Sequence, residues 1–177
     1  MDIKQMGQGS SQPVSQNKTA MVQRHASTTN DQYNDILNNS ISQFENTRKS
    51  VDERIKTELI PCMKKIEKVN DGQVIALSIY QECVEESASL RSVLSKLDIQ
   101  YKKAMQDGVV YYTTSFPLGL KTNAEKESWS RVDNANLARL IDEIQNQLQF
   151  YSDTMVLLKN YNYAFKNIIE LKVNELL

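Results

Sequence analysis

Few residues in this chain have the types and spacing that catalysis needs. The single histidine, His25, lies in a polar N-terminal stretch, which gives no basis for a Ser-His-Asp or Cys-His arrangement. Cys62 and Cys83 are far apart with no histidine between them, which is not a zinc-ligand spacing. No glycine directly precedes a Lys-Ser or Lys-Thr pair, so no phosphate-binding loop is expected. The sequence predicts a protein that is not an enzyme and that holds no metal or cofactor.

Basic and aromatic residues are the side chains with the clearest chemical potential. Positive side chains that follow a phosphate backbone, beside rings that stack on bases, are what binding of single-stranded nucleic acid requires. The candidate nucleic-acid-binding residues are Lys102, Lys103, Tyr111, Tyr112, Lys121, Lys126 and Arg131. The alternative is a solvated helix face with its tyrosines in the core, and the sequence leaves both interpretations open.

The elements that position these residues are predicted helices, and the last helix has the strongest pattern. From Leu137 onward, apolar residues recur at intervals of three and four residues, which is a heptad repeat. A strict seven-residue period makes helices supercoil around a partner, so we expect this helix to drive self-association. The predicted oligomerisation residues are Leu137, Ile141, Ile144, Leu148, Tyr151, Met155, Leu158, Asn162, Phe165 and Ile169.

Length and composition indicate a single helical domain. The chain has 177 residues with only 5 Gly and 3 Pro, which is too few for a turn-rich β architecture. Its formal net charge of −1 gives no global basic field to attract nucleic acid or a membrane. No apolar run reaches the length of a membrane helix, and the N-terminus lacks the pattern of a secretory signal. We therefore expect a cytoplasmic protein with neither a membrane nor a small molecule as its partner.

Apolar spacing predicts an all-α fold, an elongated helical bundle or coiled coil with a long C-terminal helix. Residues 1–30 are rich in Gln, Ser, Thr and Asn and are predicted to be a disordered tail. Residues 31–177 are predicted to form one helical domain. Its predicted helices cover residues 31–60, 62–69, 73–106 and 123–176.

Local signals set the boundaries of the early helices. Asn30 or Asp31 is the expected N-cap of the first helix, because a side-chain oxygen there can accept from free amides of the first turn. Pro61 is expected to stop or kink that helix near Ile60, because proline lacks an amide proton and clashes with the preceding turn. The sequence over residues 70–72, Asn-Asp-Gly, predicts a turn before the next helix.

The segment before the last helix changes character. Asp107-Gly108 is expected to break the preceding helix, and the β-branched and aromatic run that follows predicts an extended or β-like loop over residues 109–116. Thr122 and Glu125 have the spacing of a capping box, in which each side chain satisfies a free amide of the first helical turn. This box fixes the predicted start of the last helix.

Two stretches together cover about residues 73–172 and carry a family resemblance. The first runs from Ala76-Leu77-Ser78-Ile79-Tyr80 through Ser87-Ala88-Ser89-Leu90-Arg91 to the Tyr111-Tyr112 pair. The second runs from Phe150-Tyr151-Ser152 through Lys159 to Tyr163-Ala164-Phe165-Lys166-Asn167-Ile168-Ile169. In this order they resemble the UvsY-like recombination mediators of T-even-type phages.

The resemblance implies a homo-oligomer that binds single-stranded DNA and helps to load a recombinase, in the host cytoplasm if the chain is phage-encoded. The candidate lysines and Arg131 would then contact phosphates, and Tyr111 and Tyr112 would stack on bases. Two other interpretations stay open. One is a coiled-coil structural or secreted assembly protein, such as a secretion-machine filament or tip or a virion component, without nucleic-acid binding. The other is a helical adaptor whose heptads bind a partner helix.

Overall fold

The computed structural model describes residues 14–116, 119 and 122–175, and the side chains of these from residue 30 to residue 174. The helices are α1 (Val14–Arg54), α2 (Ile60–Met63), α3 (Val69–Thr114), α4 (Asn123–Asp133) and α5 (Ala135–Glu175). The described residues contain no β-strand, so the predicted all-α fold is confirmed. Within them, no helix is both long and apolar enough to cross a membrane.

The long helices α1, α3 and α5 lie side by side, and α5 packs against both of the others. Asn30 near the start of the bundle contacts Asn136, and Arg48 further along α1 contacts Gln147, so α1 and α5 run parallel. The chain reverses between α2 and α3, which makes α3 antiparallel to both. With 46 residues, α3 is about 70 Å long at 1.5 Å per residue.

Most of the core lies towards the end of the bundle where α2 connects to α3. The main cluster contains Val51, Ile55, Leu59, Cys62, Val69, Ala76, Ile79, Cys83, Tyr151, Leu158 and Phe165. A second cluster, nearer the other end, contains Leu37, Leu140 and Ile144. The side chains that α3 turns towards α5 include small ones such as Ala76, Cys83 and Ser87, which allow close approach of the two helices.

The heptad stripe of α5 packs inside the chain's own bundle. Six of its residues are buried, namely Leu137, Ile141, Ile144, Tyr151, Leu158 and Phe165. The other four are half-buried, namely Leu148, Met155, Asn162 and Ile169. The stripe therefore has partner helices within the same chain, α1 and α3, and in this structure it is not available to a second copy. Self-association stays a prediction, and it requires another surface.

A polar layer crosses the middle of this core. Arg48 Nε donates a hydrogen bond of 2.7 Å to Gln147 Oε1, and Gln147 is 0% exposed. The buried Nη2 of Arg48 and Nε2 of Gln147 have no hydrogen-bond partner among the described residues. The Arg48 guanidinium also lies 5.8 Å from the centre of the Phe150 ring. Buried donors without acceptors cost stability, so this layer weakens the bundle while it fixes the register of α1 on α5.

The first helix begins earlier than predicted. Residues 1–13 of the predicted tail lie outside the described residues, and α1 begins at Val14. The sequence from Val14 to Arg54 contains neither Gly nor Pro, so nothing in it interrupts a helix. The predicted N-cap was wrong: Asn30 lies within α1, and its side chain bonds across to α4 and α5 instead.

Pro61 does not stop the helical segment near Ile60, and the alternative, a kink at this point, stays a prediction. A π-helical turn, Ile55–Leu59, joins α1 to α2, and Pro61 lies in the first turn of α2, where its missing amide proton costs no hydrogen bond. The helix then ends at Met63. In place of the predicted helix over residues 62–69, the chain forms a 3-10 turn at Ile66–Lys68 before α3 begins.

Two glycines that the sequence suggested as breaks lie inside α3. A Cβ on Gly72 would lie 2.5 Å from Cζ of Phe165, and a Cβ on Gly108 would lie 2.2 Å from Oγ of Ser130. Each glycine allows a neighbouring helix to approach closely instead of ending its own. The prediction of a turn at residues 70–72 was therefore wrong, because α3 begins at Val69. The prediction of an extended segment from residue 109 was also wrong, because α3 continues to Thr114.

The last predicted helix is divided at Asn134. The capping box is confirmed: Thr122 Oγ1 accepts from the Glu125 amide at 3.2 Å, and Glu125 Oε2 accepts from the Thr122 amide at 3.0 Å. Asn134 then ends α4, and its Nδ2 donates to the Ser130 carbonyl at 2.8 Å. The predicted end of the last helix, at residue 176, lies outside the described residues.

Candidate nucleic-acid interface

The candidate site lies where α4 packs across the last turns of α3. Gly108 provides the space for Ser130, whose Oγ donates to the Met105 carbonyl at 3.1 Å. This bond anchors α4 on a carbonyl of α3 itself. This contact holds α4 against α3, and side chains of both helices contribute to the surface at this end of the bundle.

Four aromatic rings pack together at this crossing. The ring centres of Tyr112 and Phe116 are 4.9 Å apart, those of Tyr111 and Tyr112 are 5.2 Å apart, and those of Phe116 and Trp129 are 6.0 Å apart. Aromatic pairs at tilted angles of this kind stabilise one another beyond the area they bury. The cluster forms a small aromatic core at the α3–α4 end of the bundle.

Tyr112 lies inside this cluster. Its ring is 3% exposed, and its hydroxyl donates a hydrogen bond to the Asp133 carboxylate. Burial, followed by the bond to Asp133, raises the pKa of the Tyr112 hydroxyl well above its ordinary value. The prediction that Tyr112 stacks on bases was wrong for this structure, because the ring is covered by protein.

Trp129 is the exposed ring of the cluster. It is 43% exposed, while its inner side rests on Phe116 and on Tyr112, at 6.2 Å between ring centres for the latter. Tyr111 is half-buried and contacts Tyr112 and Phe116. Trp129 is not among the residues predicted from the sequence. The available signal was that the only tryptophan of the chain follows Lys126 by three residues, on one face of a helix.

The basic candidates lie on α3 and α4 at this end of the bundle. Lys102 and Lys103 are exposed on α3, Arg131 is exposed on α4, and Lys126 is half-buried on α4. Lys121 lies outside the described residues. The structure therefore brings four of the five predicted cations to the end of the bundle that also carries the aromatic cluster.

Acidic residues share this surface. Asp107 on α3 and Glu127 on α4 are both exposed. A shallow apolar hollow of about 430 Å³ separates the two helices and is lined by Met105, Gln106, Val109, Val110 and Glu127. The mixed charges make the local field weakly positive at most, so electrostatic attraction for a polyanion is modest here.

Asn30 fixes the candidate site on the rest of the bundle. Its Nδ2 donates to the Val132 carbonyl at 3.0 Å, and its Oδ1 accepts from the Asn136 amide at 3.2 Å. The Asn136 side chain in turn donates to the Asn30 carbonyl at 2.8 Å. These bonds attach α1 to the joint between α4 and α5, so the α3–α4 surface has a defined position relative to the long helices.

The described residues offer little that could support metal or thiol chemistry. They contain no group of three or more His, Cys, Asp or Glu residues that could hold a metal ion. Both cysteines are buried, and burial raises the pKa of the Cys83 thiol to about 11, so that thiol is protonated at neutral pH. Cys62 Sγ donates to the Glu58 carbonyl at 3.1 Å.

Comparison with known proteins gives no relative for this chain. No protein-family model matches it, and no match was found among curated proteins or solved structures.

Proposed function

We propose that this protein is a non-enzymatic, homo-oligomeric recombination mediator that binds single-stranded DNA and helps to load a recombinase. The resemblance of residues 73–172 to the UvsY-like mediators suggests this role. The α3–α4 end of the bundle is the proposed DNA-binding surface.

The main observation in favour of the proposal is that Trp129 is exposed while it rests on other aromatic rings. A ring that is 43% exposed and fixed from behind by Phe116 can stack on a base without first being ordered. Lys126 lies one turn before it on the same helix. Trp129, with Tyr111 as a partly exposed second ring, takes the stacking role predicted for Tyr112.

The cations of this surface are proposed to follow the phosphate backbone. They are Lys102, Lys103, Lys126 and Arg131. Each phosphate contact contributes a slope of about 0.7 to the decrease of log affinity with log salt for a single strand. Because Asp107 and Glu127 oppose this attraction, we expect weak binding that is lost at moderate salt.

The test is binding of a fluorescent single-stranded oligonucleotide at several salt concentrations. Replacing Lys102 and Lys103 with Ala should lower the slope of log affinity against log salt by up to about 1.4, the sum of two contacts. The matched control replaces Lys64 and Lys65, an exposed pair at the opposite end of the bundle, and should leave the slope unchanged. Equal slopes for both variants, or no binding at low salt, would refute the assignment.

The second candidate function is a coiled-coil assembly protein without nucleic-acid binding, in a secretion machine or a virion. The observation that favours it is the apolar surface at the other end of the bundle. Leu171 and Val173 on α5 are 63% and 52% exposed, and Val74 and Leu77 on α3 are 69% and 60% exposed. If the protein forms oligomers but does not bind DNA at low salt, this second candidate is favoured.

A further inference from the structure

The N-terminal half of α3 exposes an apolar stripe on the side away from the core. Its exposed residues are Val74, Leu77, Gln81, Val84 and Ala88. Val74, Leu77 and Val84 are 69%, 60% and 42% exposed. The intervals are three, four, three and four residues, so these side chains form one continuous stripe along the helix. The opposite face of α3, with Ala76, Ile79 and Cys83, is already buried against the rest of the bundle.

The stripe has the layout of a two-stranded coiled coil. If Val74, Gln81 and Ala88 are a positions, Leu77 and Val84 are d positions. Gln81 is then a polar residue at an a position, the type of insertion that fixes register and strand number in coiled coils. The neighbouring g and e positions, which pair between helices, include Tyr80 and Glu85.

The two flanks of the stripe carry opposite charges. On the g side, α5 places the Lys159 ammonium 5.7 Å from the centre of the Tyr80 ring. On the e side, Glu85 is exposed, and its Oε1 accepts from Gln81 Nε2 at 3.0 Å. In a parallel two-stranded coiled coil, a g residue meets the e′ residue five positions later on the partner. Tyr80, with Lys159 over its ring, therefore faces residue 85 of the partner helix.

We propose that the α3 stripe is an interface for a second copy of this chain, with the two α3 helices parallel about a two-fold axis. In this arrangement Lys159 of each copy pairs with Glu85 of the other, and the symmetry forms the pair twice. An antiparallel pairing would bring Glu85 of one copy to the acidic flank of the other, which like-charge repulsion disfavours. Charge complementarity therefore favours a second copy of this chain as the partner, and it favours the parallel orientation of the two α3 helices.

This interface extends the proposed function, because it supplies the self-association that the buried stripe of α5 does not. It also separates the two functions in space. The stripe lies in the first half of α3, whereas the proposed DNA-binding residues lie at its far end and on α4. A variant of the stripe can therefore fail to associate and still bind DNA.

The first test is the dimer dissociation constant of the full chain from sedimentation equilibrium. Glu85→Lys and Lys159→Glu should each raise it about tenfold, because each replaces two attractive pairs with two repulsive ones. The double variant E85K/K159E should return it to within about twofold of the original, since the reversed pair is again complementary. If the double variant associates no better than the single variants, the proposed pairing is wrong.

The apolar seam has its own variant and control. Leu77→Glu should abolish association, and the exposed position of Leu77 means that helix content should be retained in circular dichroism. Ile36→Glu is the matched control, because Ile36 is 47% exposed on α1 and lies outside the stripe. A chain that remains monomeric at about 100 µM, or a dimer that tolerates Leu77→Glu, would overturn the proposal.

Orientation is tested by cross-linking. In a parallel pair each a residue meets its own copy, so Val74→Cys alone should form a disulfide-linked dimer under oxidation. In an antiparallel pair each a residue meets a d residue, so Val74→Cys would instead link to Val84→Cys only when the two variants are mixed, and that result would contradict the proposal. The native cysteines are buried, so they do not compete. Failure of DNA binding with intact dimers would refute the proposed function alone.

Discussion

Gly108 and Ser130 are in such close contact that a Cβ on residue 108 would lie 2.2 Å from Ser130 Oγ and 2.8 Å from Ser130 Cβ. Because glycine has no side chain, α3 leaves space at residue 108 into which Ser130 of α4 packs. Asp107-Gly108 was predicted to break the helix, but here the glycine makes room for Ser130 within a continuous α3. The same contact positions α4, which carries Trp129, beside the aromatic residues of α3. Gly72 has the same relationship to Phe165 at the other end of the bundle.

Gly108→Ala should destabilise the protein. At an open helical site this change gains about 1 kcal/mol of helix propensity, but overpacking a close contact costs about 1–3 kcal/mol. We expect the contact to dominate and the urea midpoint to fall. In a double-mutant cycle, Gly108→Ala should cost less in the Ser130→Gly background, where the opposing side chain is absent, than in the original chain. If Gly108→Ala alone raises the midpoint, the close packing of α4 on α3 is wrong.

Tyr112→Phe should lower stability at neutral pH by about 1–3 kcal/mol, because the buried Asp133 carboxylate loses its hydroxyl donor. The change should also alter how the free energy of unfolding depends on pH in the alkaline range. Because the folded pKa of Tyr112 lies above the ordinary value of 10.0, its contribution is complete below pH 10 and is lost as the pH rises beyond it.

Urea unfolding at pH 8, 10 and 11 measures this effect. The difference in unfolding free energy between the original chain and Tyr112→Phe should shrink as the pH rises above about 10. A difference that stays constant over this range would show that the hydroxyl does not titrate differently in the folded and unfolded chain.

The polar layer of Arg48 and Gln147 should show strong coupling between its members. Gln147→Leu alone should cost about 1–3 kcal/mol, because it leaves the Arg48 guanidinium without its acceptor. The pair Arg48→Met and Gln147→Leu together should cost less than Gln147→Leu alone, and an apolar replacement of this kind can be stabilising. A double-mutant cycle of unfolding free energies checks this, and strict additivity would contradict it.

Asn30→Ala should loosen the joint between α4 and α5. It removes the side-chain bonds to the Val132 carbonyl and the Asn136 amide, at about 1 kcal/mol each. Asn39→Ala is the matched control, since Asn39 is exposed on the same helix. Hydrogen exchange should become faster at the Asn136 amide in Asn30→Ala, and an unchanged rate there would count against the contact.

Periodicity and caps were sufficient to predict the helical class, the α5 stripe and the start of α4. Those signals are local or repeat along one helix, so one sequence reveals them. The sequence could not distinguish a helix partner in the same chain from one in a second copy. Leu158 and Phe165 would occupy the same heptad positions whether they pack inside one chain or between two. It also misread Gly72 and Gly108, since a glycine that ends a helix and one that admits a neighbour differ only in tertiary context.

The exposure of single side chains was the least predictable feature. Leu77 and Val84 have the spacing of core residues, yet they are exposed, while the smaller Ala76 and Cys83 face the core. The sequence alone could not show that Trp129 is more exposed to solvent than Tyr112, because the exposure of both side chains depends on how α4 crosses α3.

The fluorescence of Trp129 during titration with single-stranded DNA measures the proposed base stacking at the residue itself. Trp129 is the only tryptophan, so the signal belongs to the proposed stacking residue without ambiguity. Stacking on a base should quench its emission in a saturable way at low salt, and added salt should restore it as the strand dissociates. Binding of the strand without any change in Trp129 emission, or no binding at low salt, would contradict the proposed DNA-binding surface.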